Sequence, residues 1–169
     1  MNLIVSVDQN WGIGCGGHLL AQAPADFRWF REHTLGKVVV LGRLTLAGFP
    51  DSRPLKGRKN IILSADRQFA VSGAETARDL PDLWRALAPY EDEDIYVIGG
   101  ASVYRLLLPW CAHAYITKFR AVYHADRFFP NLEREPEWVL LEQGEEQEHQ
   151  GLKFSFCHYL NCAPQPRPR

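Results

Sequence analysis

No apolar run in this 169-residue chain approaches the ~18 residues that a membrane-crossing helix needs, so no such span is expected. Positive charge is not in surplus either. Lys and Arg number 19 against 20 Asp and Glu, and a net charge of -1 offers no basic field to draw in nucleic acid. The four cysteines, Cys15, Cys111, Cys157 and Cys162, show neither C-x-x-C nor paired metal spacing. Free thiols in a reducing compartment are expected, and no metal. A basic stretch, apolar run and small-residue cleavage site are missing at the start of the chain, which points to the cytoplasm. Internal repeats, linkers and an evident dimer patch are also lacking. One domain (residues 1–162) acting as a monomer is therefore expected, followed by a polar, proline-rich tail at 163–169, "APQPRPR" with its preceding turn, read as disordered.

One motif stands out, and it lacks its context. In "WGIGCGG", Gly12, Gly14 and Gly17 spell G-x-G-x-x-G, the fingerprint of a dinucleotide-binding turn. That turn needs a strand leading straight in, a helix opening behind it, and an acid ~20 residues on. Here Asp8, Gln9 and Asn10 intervene after the strand "LIVSV", "HLLAQAP" follows with no helical run, and the acid is absent. A flexible loop needing glycine torsions is the better reading, and such loops often cover active sites.

What is present alternates between strand and helix patterns. "LIVSV", "KVVVLGR", "NIILS", "DIYVIGG" and "HAYITKF" read as buried strands. Between them, "PADFRWFREHT", "LTLAGF", "ARDLPDLWRALAPY" and "SVYRLLLPW" read as helices; the third places Leu80, Leu83, Trp84 and Leu87 on one face. After residue 120, "VYHADRFFP", "EWVLLEQGEEQ" and "LKFSFCHYL" read as strands with no helix between them. The class is α/β: a single domain with a mostly parallel central sheet, an antiparallel C-terminal end and about four flanking helices.

Ligands of such sheets bind beyond the carboxyl ends of the strands. In "YVIGGASVYRLLL", a buried strand runs into Gly99 and Gly100 and a helix opens at once, with Ser102 as a candidate cap; a phosphate site and a plain tight turn both fit. "VLGRLTL" is a second such junction. Gly42 permits close approach, Arg43 offers a fork for phosphate or is a solvated arginine, and Thr45 is a candidate cap. Asp26 shares a helical face with Phe27 and Phe30, either as a dipole partner at the helix start or as an acid in a cleft.

Taken together, "LIVSVDQNWGIGCGGHLL", "PADFRWF", "VVVLGRLTLAGF", "RPLKGRKNIILS", "YVIGGASVY" and "YITKF" with "ADRFFP" resemble the dihydrofolate reductases, in order and spacing, from residue 2 to about 160. The resemblance implies NADPH-dependent reduction of 7,8-dihydrofolate in tetrahydrofolate biosynthesis, with hydride delivered to C6 and water-mediated protonation of N5. It makes the glycine loop a mobile lid. It assigns pterin binding to Asp26, hydrogen-bonded by Thr117, these two being the catalytic pair. Ile4, Val5, Phe27, Phe30, Phe49, Leu55, Ile98 and Tyr104 would line the pocket, and Arg58 would grip the substrate's glutamate carboxylate. For the cofactor it implies Ser6, Ile13 and Gly14, the turn Gly42, Arg43, Leu44 and Thr45, then Leu63 and Ser64, and Gly99, Gly100, Ala101, Ser102 and Val103, with a cis peptide between the two glycines. Arg43 and Ser64 would meet the 2′-phosphate. Dihydrofolate and antifolate inhibitors are the implied small-molecule partners.

The chain departs from the family pattern in places. Leu20 and Ala21 stand where Pro-Trp is usual, and Leu46 where tryptophan is common. After Ser64 come Ala65, Asp66 and Arg67, where Asp66 would oppose a 2′-phosphate and Arg67 could compensate. Two alternatives stay open on sequence: the related NADPH-dependent pyrimidine reductase of riboflavin synthesis, and a non-catalytic folate- or nucleotide-binding protein.

Overall fold

A computed structural model describes residues 1–168. In chain order the elements are β1 (Asn2–Val7), β2 (Gly12–Cys15), β3 (His18–Leu19), α1 (Pro24–Thr34), β4 (Val38–Gly42), α2 (Arg43–Ala47), β5 (Lys59–Leu63), β6 (Ala74–Ala77), α3 (Leu80–Leu87), β7 (Ile95–Gly99), α4 (Ala101–Leu107), β8 (His113–Phe119), β9 (Arg127–Phe128), β10 (Trp138–Gln143), β11 (Gln147–His149) and β12 (Leu152–Asn161).

The main sheet runs β10-β12-β8-β1-β7-β4-β5-β6, with β11 paired to β12. The six strands from β8 to β6 are mutually parallel; β12, β10 and β11 add the antiparallel end. The Val-, Ile- and Leu-rich strands β4, β5 and β7 are buried on both faces, as a covered parallel sheet requires. One hydrophobic cluster joins Leu83 and Leu87 of α3 and Val103 and Leu107 of α4 to one face. A second joins Trp29 and Phe30 of α1 and Leu46 of α2 to the other. The chain leaves β1 and β4 for the α1 and α2 face, but leaves β7, which lies between them, for the α3 and α4 face. Such a switch opens a crevice at the strands' carboxyl ends, and the site lies there.

Four expectations need correction. The segment 122–130 is no strand of the main sheet. Only Arg127–Phe128 is extended, as β9 in a small sheet with β2 and β3, because Tyr123 N–H donates to Asp8 Oδ2 at 2.9 Å and fixes the loop instead. β6 was not expected from "AETA"; it forms by parallel pairing with β5. Neither Ser102 nor Thr45 caps a helix: Gly100 and Gly42 hold the N-cap positions and both candidates lie inside the first turn. The tail through Pro168 carries defined contacts. Gln165 N–H donates to Pro109 O at 2.8 Å. Arg167 donates to Asp92 Oδ1 at 2.7 Å and to the Leu87 and Tyr90 carbonyls at 2.6 Å each, where it closes the end of α3. Arg169, the last residue of the expected tail, lies outside the described residues.

Candidate active site

The glycine motif is a hairpin. Cys15 pairs with His18, and Gly16 and Gly17 between them have φ of 58° and 84°. Two consecutive positive φ angles make the two-residue turn that matches strand twist, and glycine adopts them freely. No helix follows, so the dinucleotide-turn reading falls. Asp8 ties the hairpin's base. Its Oδ1 accepts from Asn10 N–H at 2.9 Å and Gly12 N–H at 2.8 Å, while Asp126 Oδ2 accepts from Gly16 N–H at 3.0 Å.

Across the crevice, α1 begins at Pro24, whose fixed φ suits a first turn. This start places Asp26 over β8, where Thr117 Oγ1 donates to Asp26 Oδ1 at 2.5 Å. Burial pushes the Asp26 pKa up, and the Thr117 hydrogen bond partly offsets that. Thr117 pairs in register with Ser6 of β1, so the two face the cleft together.

Ile4, Ile98, Phe30, Phe49 and Leu55 gather in the cluster on the α1 face and form the apolar wall beside Asp26. Phe27 is 47% exposed at its rim. Val5 belongs to the cluster on the opposite face, since successive side chains of a strand point to opposite sides. Its side chain is therefore withdrawn from the wall. Tyr104 also packs on that far side; its hydroxyl donates to Ile4 O at 2.6 Å, and burial pushes its pKa far up. Tyr104 thus fixes the backbone of the wall.

Arg58 sits beside the C-terminal end of α1, just before β5. Its Nε and Nη2 donate to Thr34 Oγ1 at 3.2 and 3.1 Å, and Nη1 to Lys56 O at 2.7 Å. Partial burial and the nearby Arg31 push its pKa down, so a carboxylate here would relieve both. Asn60, buried at the start of β5, binds the 55–58 loop: its Oδ1 accepts from Leu55 N–H, and its Nδ2 donates to the Leu55 and Arg58 carbonyls. Asp8, Thr34 and Asn60 were not picked out from sequence. The available signals were a short polar residue closing a strand (Asp8), one opening a strand (Asn60), and a threonine one turn after Phe30 (Thr34).

Most of the remaining expected residues lie at the carboxyl ends of β4, β5 and β7. A Cβ on Gly100 would stand 3.1 Å from Thr45 Oγ1, and one on Gly42 3.1 Å from Val103 Cγ2. Each glycine turn therefore packs closely against the helix start of the other, a cradle with no room for a further side chain. The peptide between Gly99 and Gly100 is cis. Arg43 and Leu44 are exposed, Leu44 at 71%. Ser64 is buried, with its Oγ accepting from Asp66 N–H at 3.3 Å. Ala101 and Ser102 open α4 beside the cradle, and Ile13 and Gly14 lie on β2 of the hairpin; Ile13 and Leu63 also pack against the far cluster. An exposed arginine, a buried hydroxyl and close-packed glycine turns fit the phosphates of a dinucleotide.

A carboxylate and threonine lie over an apolar wall, beside a close-packed glycine cradle, in a single α/β domain with a mixed sheet. The family model described as dihydrofolate reductase matches residues 1–161. Similar proteins include the dihydrofolate reductase of Neisseria meningitidis serogroup B, 34% identical over 95% of this chain and 97% of that protein, and that of Bacillus subtilis, 30% identical over 94% and 93%. Among solved structures, dihydrofolate reductase from Enterococcus faecalis complexed with NADP(H) and RAB-propyl superposes with a TM-score of 0.83 at 27% identity, over 94% of each chain. The chain belongs to the dihydrofolate reductase family. It is an NADPH-dependent oxidoreductase that reduces dihydrofolate. The two alternatives left open on sequence give way to this membership.

Proposed function

We propose that Asp26, held by Thr117, is the carboxylate that binds and polarises the pterin as 7,8-dihydrofolate is reduced to 5,6,7,8-tetrahydrofolate. The 2.5 Å Thr117–Asp26 hydrogen bond over an apolar wall carries this reading. A carboxylate accepts from two donors at once, and the pterin edge offers a pair, N3–H and the 2-amino group. Thr117 occupies one Asp26 oxygen with an orienting bond and leaves lone pairs on both for that pair. An antifolate with the same two donors competes for the same atoms.

When bound, NADPH supplies the hydride for C6. The chain's own groups supply alignment, charge and dryness. Gly42 to Thr45, Leu63, Ser64 and Gly99 to Val103 would hold the cofactor's phosphates and sugars, and Ser6, Ile13 and Gly14 its nicotinamide end. Ile4, Phe30, Phe49, Leu55 and Ile98 exclude bulk water around the reacting carbon, which strengthens every charge interaction there. The ionised Asp26 favours the protonated pterin, and a water carries the proton to N5. Arg58, in no ion pair among the described residues, takes the carboxylate tail. The 12–20 hairpin closes the cleft as a lid, hinged at the Asp8 hydrogen bonds. Four free cysteines suit a reducing, cytoplasmic setting, and the protein works there as a monomer.

The test is NADPH oxidation measured with dihydrofolate and, in parallel, with the ribosylated pyrimidine of riboflavin synthesis. Oxidation that depends on dihydrofolate alone is expected. Oxidation with the pyrimidine but not with dihydrofolate would contradict the substrate assignment.

A further inference from the structure

His113 of β8 and His158 of β12, 45 positions apart, meet through strand pairing. The two strands run antiparallel, with His158 opposite Tyr115 and Leu160 opposite His113. His113 and Tyr115 are two residues apart on one strand, so His113 and His158 share a face as diagonal neighbours. His113 Nδ1 and His158 Nε2 stand 3.0 Å apart. Tyr115 stacks on the His158 ring at 4.6 Å and steadies it. Both histidines are half-buried, and the second nitrogen of each ring makes no hydrogen bond among the described residues. On the next strand, exposed Glu142 of β10 pairs in register with His158. His33 of α1 lines one open cavity with His158 and Glu142, but its Nδ1 already donates to Trp29 O at 2.9 Å. His113 opens β8, and Thr117 lies four residues further along, ~13 Å away at strand rise, so this cluster stands apart from the site of reduction.

Two neutral imidazoles so placed are a chelate in waiting. Metal–nitrogen bonds of ~2.0–2.1 Å meeting at a right angle hold their nitrogens ~2.9 Å apart, and at a tetrahedral angle ~3.4 Å apart. The 3.0 Å separation matches the right angle, which is the cis geometry of tetragonal Ni(II) and Cu(II). The proton now shared between the rings need not leave. The donating ring takes its other tautomer, with the proton on its outer nitrogen, and small rotations of two half-exposed rings aim both lone pairs at an ion off the line joining them. Among the described residues no three His, Cys, Asp or Glu side chains are already assembled for a metal, so the site is an open one. The expectation of no metal rested on cysteine spacing, which says nothing about imidazoles brought together by two strands.

We infer that His113 and His158 form a chelating site for a divalent late transition-metal ion, Ni(II) or Cu(II) in preference to Zn(II), with Glu142 swinging in as a third ligand. The bound ion staples β12 to β8.

Isothermal titration of the full chain with Ni(II) and with Zn(II), at about pH 7.5 where imidazole is mostly neutral, tests this without turnover. The parent should bind one Ni(II), and Zn(II) more weakly. His113→Gln and His158→Gln should each lose Ni(II) affinity by about tenfold or more, since even the partners that orient a ligand are worth that much. Glu142→Gln should lose less, and His149→Gln, on β11, should bind as the parent does. The Cu(II) paramagnetic resonance spectrum should show splitting from two nitrogens in the parent and at most one in either single variant, which separates imidazole from thiolate binding at the four free cysteines. Ni(II) should raise the melting temperature of the parent and leave the His113→Gln, His158→Gln double variant unmoved. Melting curves in chelator establish that each variant is folded, and either single variant alone carries the comparison. A parent that binds neither Ni(II) nor Cu(II), single variants that bind as tightly as the parent, or tighter binding of Zn(II) than of Ni(II) would overturn the proposal.

Discussion

Asn60 holds Leu55 by both ends of its side-chain amide: Leu55 N–H donates to Oδ1, and Nδ2 donates to Leu55 O, each at 2.9 Å. The same Nδ2 reaches Arg58 O at 3.1 Å. One buried side chain therefore sets both a wall residue and the arginine proposed for the substrate's tail.

Arg58→Leu should weaken binding of dihydrofolate about tenfold, since charged hydrogen bonds contribute ~1.5–3 kcal/mol and partial exposure puts this one at the low end. A pterin without the glutamate tail should bind unchanged. Competitive titration of the two ligands checks this, and equal losses would remove Arg58 from the tail site.

Gly100→Ala should fold and lose NADPH affinity by at least about tenfold, because its methyl enters the cradle 3.1 Å from Thr45 Oγ1, where phosphate and backbone must approach closely. Fluorescence titration with NADPH, alongside a melting curve, separates lost binding from lost folding.

His113 Nδ1 and His158 Nε2 lie 3.0 Å apart, and burial pushes both pKa values down. The N-terminal ammonium adds to this at His113. At His158, His113 and His33 add to it and Glu142 opposes it, with Tyr115 stacked on the ring. A histidine whose folded pKa is depressed favours the native state while neutral. Its contribution is present above ~6.5, the ordinary value, and is lost as pH falls through the lower folded values. Melting temperature should therefore drop as pH falls below about 6.5, and the His113→Gln, His158→Gln double variant should show a flatter profile there.

Arg167→Ala should lower the melting temperature by about 2–6 °C, as expected for losing ~1–2 kcal/mol in a domain of this size. Arg167 is 8% exposed and closes two carbonyls at the end of α3 besides pairing with Asp92. Differential scanning calorimetry reads it directly.

These contacts show where sequence was informative. Periodicity located the buried strands β1, β4, β5, β7 and β8 and the helices α1 and α3, because each is long and strongly patterned. It missed β6, whose "AETA" has little strand propensity and exists through its neighbour β5. It made a strand of 122–130, where Asp8 and Asp126 impose a loop through side-chain hydrogen bonds that no local pattern reveals. Asp26, Thr117 and the glycine turns came from resemblance across the whole chain. Residue by residue, the Asp26–Thr117 contact, 91 positions apart, is invisible. The roles of Asn60 and Thr34 depend on pairings beyond the local pattern too. So does the withdrawal of Val5, since the resemblance places its position near the pocket while strand alternation turns its side chain away.

The central claim is that a charged Asp26 drives the chemistry, and the hydride-transfer rate of Asp26→Asn against the parent, measured in single turnovers from pH 5 to 8, tests it most directly. Asn keeps the shape and can still accept from Thr117, but it faces one pterin donor with a donor of its own, and it cannot favour a cationic pterin. The account predicts a fall of ~10²-fold or more at pH 7, NADPH affinity unchanged, and partial recovery toward pH 5, where solvent protonates the substrate. An Asn variant within threefold of the parent at pH 7 would contradict the assignment of Asp26 and the mechanism built on it.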